Sequence, residues 1–298
     1  MTLPDLPQTV VLHLGAHKTA STHLQRSIGA AGPHTDLAFV GPPMLRGPGE
    51  SLPERFGFPL DPENGSASAL SVRDVLRGLA QGRPRLVLSD ENFAGKLKTG
   101  WGRIPTPLYF TAAQRIAALA ERITHAGGPA IDLCLGLRDP AGYLNSAYSQ
   151  ILHGKSIVDP ESFRAKNPLT VVDWATYVSG LRAVPHVRSV TVWRQEDYAS
   201  LFDQICAAML GRSDVKPLQD RLQQRLSVQA VEAVLLAKSL NAGNIVADAA
   251  EEFPVSDLHP AYDLFDAKDH MISDALYKAQ WDTIAALDGV TALGATNA

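Results

Sequence analysis

The stretch Thr9-Val-Val-Leu-His-Leu-Gly-Ala-His-Lys-Thr-Ala-Ser-Thr22 decides the fold. Its first half, Thr9 to Leu14, is a short apolar run of the kind a strand buried on both faces requires. Gly15 breaks it. Ser21 to Ala30 then reads as a helix, with Leu24 and Ile28 four apart on one face. A strand that turns directly into a helix aims the helix's unpaired N–H groups and the positive end of its dipole at the turn. Lys18 adds a full charge there, and Thr19, Ser21 and Thr22 add hydroxyls. Gly15, Ala16, His17, Lys18, Thr19, Ala20, Ser21 and Thr22 together read as a cradle for phosphate or sulfate. The layout is not the triphosphate loop G-x-x-x-x-G-K-[ST], because no glycine stands before Lys18. An ordinary helix start capped by Ser or Thr is the plainer alternative.

Outward from this turn the chain alternates strands and helices. Asp36 to Val40, Arg85 to Ser89, Ala130 to Leu137 and Arg188 to Trp193 read as further strands. Ala69 to Gln81, Thr111 to His125, Ala141 to His153, Val171 to Leu181 and Tyr198 to Leu210 read as helices. Gly41 to Gly65, crowded with Pro and Gly, reads as a long surface excursion. Gly95 to Pro107 is a second loop, whose Lys96, Lys98, Trp101 and Arg103 are candidates to meet an acceptor. From Ser227 onward only helices are expected, with a loop around Glu252 to Asp266. Such alternation implies right-handed crossovers and a parallel sheet covered on both faces. One α/β domain is expected over 1–298, with its core at 9–212 and a helical extension at 213–298. In such sheets ligands sit at the carboxyl ends of the strands.

A second candidate contact stands at the end of the fourth strand. Asp139 and Pro140 are explained as a helix cap and its first helical residue. Arg138 is not, and its guanidinium at the ligand edge suits bidentate phosphate recognition. Ser146, eight positions later, lies two turns into the helix and adds a hydroxyl. A surface ion pair of Arg138 with Asp139 is the alternative.

Composition narrows the class further. Lys+Arg 27 against Asp+Glu 31 gives a formal charge of −4, which argues against a nucleic-acid-binding surface. The two cysteines, Cys134 and Cys206, are too few for a disulfide framework or a cysteine zinc site. No apolar run approaches a membrane span, and the default expectation is a cytoplasmic protein.

The two strand-end motifs together resemble the nucleotide-binding signature of sulfotransferases that use 3′-phosphoadenosine 5′-phosphosulfate (PAPS). His17-Lys-Thr-Ala-Ser-Thr-His-Leu-Gln25 is similar to the bacterial version of that family's 5′-phosphosulfate loop. Arg138 and Ser146 have the spacing of its 3′-phosphate motif. Trp193-Arg-Gln-Glu-Asp-Tyr198 is similar to its late strand and turn. The resemblance spans the first through the fifth strand. The family's usual loop glycine is here Ala20, which substitutes freely only at negative φ.

The resemblance implies a three-layer P-loop-type fold with a parallel five-stranded sheet of order 2-3-1-4-5. It implies PAPS as cofactor and adenosine 3′,5′-bisphosphate as product. The partner is a small-molecule or carbohydrate hydroxyl acceptor, with no metal. Sulfuryl transfer needs a base for the acceptor hydroxyl and positive charge at the departing phosphate oxygen. Lys18 suits the second role. Glu91, in Ser89-Asp-Glu-Asn92 at the end of the third strand, is the leading base by analogy with relatives that use a Glu. Asp90 and His17 compete for it, and His17 also shapes the loop. His13, His17 and His23 are close in sequence, but no carboxylate completes a metal set with them. A P-loop kinase or nucleotidase, with Asp90 on Mg²⁺, is the alternative enzyme, and a catalytically inactive nucleotide-binding relative is the third reading.

Overall fold

A computed structural model describes residues 5–46, 71–95, 97, 102–153, 158–219, 225–240 and 245–294. The strands are β1 Thr9–His13, β2 Leu37–Val40, β3 Arg85–Ser89, β4 Ile131–Leu137, β5 Val187–Arg194 and β6 Val290–Ala292. They form one sheet in the order β2-β3-β1-β4-β5-β6. Every pairing is parallel. The expected order is therefore present, with β1 between β3 and β4. The sixth strand corrects the expectation of helices alone beyond Ser227. Val290-Thr-Ala292 is too short to stand out in the sequence, and it becomes a strand because β5 offers it an open edge.

The period-2 alternation of each strand sorts its side chains onto two faces. Val10, Leu12 and Leu14 enter the larger apolar cluster, as do Leu86, Leu88, Leu133, Leu135 and Leu137. Val11, Val87, Cys134 and Trp193 enter the other cluster, on the opposite face. Helix α1, Ser21–Ala30, and the helix Tyr198–Leu210 cover that second face with Leu24, Ile28, Leu201, Phe202 and Met209. The first face carries the remaining helices. In chain order the set is α1, α2 Pro42–Leu45, α3 Val72–Ala80, α4 Ala112–His125, α5 Pro140–Leu152 and α6 Pro160–Lys166. It continues with α7 Trp174–Arg182, α8 Tyr198–Leu210, α9 Val228–Ser239, α10 Val246–Glu252 and α11 Ala267–Ala285.

Most boundaries lie within two or three residues of those expected. Helix α7 begins later, at Trp174, because the Asp173 side chain accepts from Thr176 N and caps it there. Helix α6 is an addition. Its Asp159-Pro160 opening uses the same device as Asp139-Pro140, with Asp159 accepting from Ser162 N. Among the described residues no helix is long and apolar enough to cross a membrane. Most of the Gly41 to Gly65 excursion, together with Lys96, Lys98 and Trp101, lies outside the described residues.

Register places the candidate site. His13 ends level with Ser89 of β3 and Cys134 of β4. Beyond it, Leu14 N donates to Cys134 O at 3.0 Å and Ala16 N to Gly136 O at 3.4 Å. The turn after β1 thus climbs alongside β4 and arrives beside Arg138.

Candidate functional site

The turn from β1 into α1 is held by left-handed backbone. Gly15 has φ +47°, Lys18 φ +71° and Ala20 φ +65°. A Cβ on Gly15 would stand 2.2 Å from Ser21 Oγ, so only glycine fits there. Lys18 and Ala20 occupy this region without being glycine, each at a cost of about 1–2 kcal/mol. Ala20 therefore departs from the negative φ that its side chain prefers. Left-handed residues on both sides of Thr19 are a backbone arrangement in which successive N–H groups can form a concavity suited to anions. Ala20 has no side chain with which to cap α1, no acidic residue stands in the first turn, and the helix start is bare. By contrast Asp139, Asp159 and Ser227 cap α5, α6 and α9 through their side chains. The Ser21 hydroxyl is buried and has no hydrogen-bond partner among the described residues.

A cavity of about 930 Å³ opens over this turn. His17, Lys18, Ala20, Ser21, Thr22, Glu91, Arg138 and Ser146 all line it, so the structure brings these sequence-predicted residues together. Gly15, Ala16 and Thr19 do not. They lie buried under the turn, where Thr19 Oγ1 donates to Ala16 O at 2.6 Å and shapes the loop from within. Thr19 spends its hydroxyl proton on that carbonyl, which no reading of sequence order reveals.

The cavity concentrates positive charge. Arg138 Nη1 donates to the Lys18 carbonyl at 2.9 Å, tying the β4 end to the β1 turn. Gly142 leaves room for this, since a Cβ there would meet Arg138 Nε at 3.2 Å. Arg225, which enters from the segment before α9, lines the same cavity. Burial lowers the Lys18 pKa, and Arg138 lowers it further. Burial likewise lowers that of Arg138, with Arg225 as the next cause. Among the described residues none of these cations has a carboxylate within ion-pair distance. The expected alternative, an Arg138–Asp139 ion pair, is absent from the described residues. Asp139 instead accepts from Gly142 N at 2.6 Å and from Ser273 Oγ.

The carboxylates at the end of β3 are engaged differently. Asp90 takes the Arg46 fork, with Nε donating at 2.7 Å and Nη2 at 2.5 Å, and also accepts from Asn92 N at 2.8 Å. Glu91 Oε1 lies 3.2 Å from Arg46 Nη2, while its Oε2 is buried without a partner among the described residues. Burial by itself would raise the Glu91 pKa, but its own backbone N–H and Arg46 outweigh burial and lower it. His17 is buried, and its backbone N–H donates to Tyr109 Oη at 3.0 Å. Its Nδ1 lies 2.9 Å from the same oxygen, and its Nε2 lies 3.4 Å from the Asn92 carboxamide. Burial lowers the His17 pKa and holds the ring neutral. His13 and His23 sit apart from one another in function. His13 Nδ1 pairs with Ser89 Oγ at 2.7 Å inside the sheet. His23 pairs with Tyr198 Oη at 2.8 Å and Leu218 O at 2.9 Å.

Among the cavity residues that sequence reasoning missed are Arg46, Arg225 and His153. Arg46 and Arg225 lie in segments with no periodicity, and only tertiary contact brings them here. His153 follows Ser146 by seven positions on α5, and helical spacing puts Ser146, Ser149, Gln150 and His153 on one face. That spacing was the available signal.

No protein-family model matches the chain, and no curated protein matches it. Among solved structures the chain is similar to a sulfotransferase from Alicyclobacillus acidocaldarius. The identity is 17%, the match covers 81% of this chain and 96% of that one, and the TM-score is 0.43. A likeness of that size decides nothing about the chemistry of the cavity, which has to stand on its own residues.

Proposed function

We propose that this cavity binds a nucleotide phosphorylated at both its 3′ and 5′ positions, and that the protein is a PAPS-dependent sulfotransferase acting on a hydroxyl acceptor. One observation carries the reading. Lys18, Arg138 and Arg225 share a single cavity with no carboxylate paired to any of them among the described residues, in a chain whose formal charge is −4. Mutually repelling, partly buried cations of this kind are stabilised by an anion placed between them. The bare start of α1 and the unpaired Ser21 hydroxyl supply further donors. Leaving such a buried hydroxyl unsatisfied costs about 1–3 kcal/mol, which a bound anion relieves.

In this reading the Lys18 turn holds the 5′-phosphosulfate, and Arg138, Ser146 and Arg225 hold the 3′-phosphate. The bound phosphosulfate supplies an activated sulfuryl group. Lys18 places positive charge where the departing phosphate oxygen gains negative charge. Glu91, whose pKa Arg46 helps to lower, lines the cavity and orients the acceptor. His17, clamped through Tyr109, shapes the turn. The volume of about 930 Å³ suits a nucleotide together with part of a small acceptor. The kinase reading relied on Asp90 for Mg²⁺. Both oxygens of Asp90 are committed to Arg46, which leaves that reading without its metal carboxylate.

Titration calorimetry tests the proposal. Adenosine 3′,5′-bisphosphate without Mg²⁺ is expected to bind at least tenfold more tightly than Mg²⁺-ATP, about 1.4 kcal/mol. The reverse order would replace sulfuryl transfer by triphosphate chemistry. Tight bisphosphate binding without transfer to any of a broad acceptor panel would point to a nucleotide-binding protein that lacks catalysis.

A further inference from the structure

A hydroxyl acceptor loses a proton when it is sulfated, and the cavity must contain a lone pair to take it. We infer that His153, at the C-terminal end of α5, is that base; the inference rests on the proposed sulfuryl transfer. The other groups on or beside the cavity wall that could accept a proton are engaged wholly or in part. Both ring nitrogens of His17 are engaged, by Tyr109 and Asn92. Both of His23 are engaged, by Tyr198 and Leu218 O. Asp90 is held in the Arg46 fork. Glu91 retains one unpaired oxygen but is tied to Arg46, which weakens it as a base.

His153 differs in its hydrogen bonding. Neither ring nitrogen has a hydrogen-bond partner among the described residues, and the side chain lines the cavity. Its position follows from α5, whose Ser146, Ser149, Gln150 and His153 form one polar face over the site. The last turn is pinned by Lys238 of α9, whose Nζ donates to Leu152 O at 2.5 Å. The charged groups that bear on the ring are Lys18 from the β1 turn and Lys238 from α9. Burial, then Lys18 and Lys238, lowers its pKa, so the imidazole is neutral near pH 7 and offers its lone pair. Lys18, which the proposed reading places at the departing phosphate, lines the same cavity as the ring. In the balanced step, the acceptor oxygen forms a bond to sulfur. The bond from sulfur to the 5′-phosphate oxygen breaks, and its electron pair goes to the phosphate. The hydroxyl proton passes to a ring nitrogen of His153.

Two readouts test this. The first is long-range ¹H–¹⁵N NMR on histidine-labelled full-length protein, with the His153 signal assigned by its loss in His153→Gln. The ring is expected to titrate below its ordinary value when free. It is expected to titrate higher once adenosine 3′,5′-bisphosphate places negative charge beside Lys18. The second is the pH profile with PAPS and a pool of glycerol and monosaccharides as acceptors. Turnover should fall on the acid side as the ring protonates. His153→Gln should remove that limb and lower kcat by roughly 10²-fold or more while leaving bisphosphate affinity unchanged. Glu91→Gln should keep the limb. If the bisphosphate binds and the His153 titration does not move, the assignment is wrong. It is equally wrong if His153→Gln retains both its turnover and its acid limb. Failure of the bisphosphate to bind wild-type protein would instead remove the underlying sulfotransferase reading.

Discussion

Ala20 shows how much one residue can reveal and conceal. The sequence marks it as the place where the resembling loop carries glycine. Only the fold shows that it adopts φ +65°, where a Cβ is strained. Ala20→Gly is therefore expected to stabilise the protein by about 1 kcal/mol, read as a higher urea midpoint with an unchanged slope. Lys18 carries the same strain, and its left-handed backbone is part of the concavity that its side chain serves. Lys18→Ala is expected to lower turnover by about 10²–10³-fold, because it removes the charge opposite the departing oxygen. A Lys18→Ala enzyme with full turnover would exclude that role. Arg225→Ala should weaken adenosine 3′,5′-bisphosphate by about tenfold or more, measured by calorimetry, since it deletes a charge-assisted contact. Arg225 had no sequence signal at all, because nothing in Arg225-Leu-Ser227 distinguishes it from a surface cation.

At the scale of elements, the elbow between β4 and α5 explains why Arg138 is held so firmly. Trp174 Nε1 of α7 donates to Arg138 O at 2.7 Å. Glu196, just after β5, accepts from Asp139 N at 2.9 Å, and Tyr277 of α11 donates to Glu196 at 3.2 Å. Ser273 of α11 donates to Asp139 and accepts from Ala141 N at 2.9 Å. Helix α11, remote in sequence, thus buttresses the backbone elbow that carries Arg138. Ser273→Ala is expected to cost about 1–3 kcal/mol, because it leaves buried partners unpaired. The same change should weaken bisphosphate binding without touching the ligand. Unchanged affinity in a destabilised Ser273→Ala protein would separate the elbow's structural duty from its binding duty. The Asp139-Pro140 cap was legible in the sequence, since the motif is local. The hydrogen bonds that support it were not, since they come from three other elements.

At the scale of the whole molecule, stability depends on keeping a histidine neutral inside the sheet. His13 is buried between β3 and β4, and burial pushes its ring down to about 4. A pKa lowered in the folded state makes the contribution full above the unfolded value of about 6.5. The contribution disappears as pH falls toward 4, by about 3 kcal/mol. Urea midpoints should therefore drop steeply between pH 6.5 and 4, and His13→Gln should flatten that drop. A ligand that fills the cavity should stabilise the entire fold. Adenosine 3′,5′-bisphosphate at about 100 times its Kd is expected to add roughly 2.7 kcal/mol, visible as a rise of several degrees in Tm.

The strand order came only through the family resemblance, whereas the sequence by itself determined the parallel sheet, the β1 turn and the Arg138 elbow. Those features are written in local patterns: apolar runs, helix caps, and cations placed at strand ends. The tertiary structure alone decided that Thr19 faces inward, that Asp90 is spent on Arg46, that Val290–Ala292 closes the sheet edge, and that Arg225 and His153 reach the cavity. Each of these depends on which distant segment arrives beside a given side chain, and the strength of a charge or the availability of a lone pair is settled only by that neighbour.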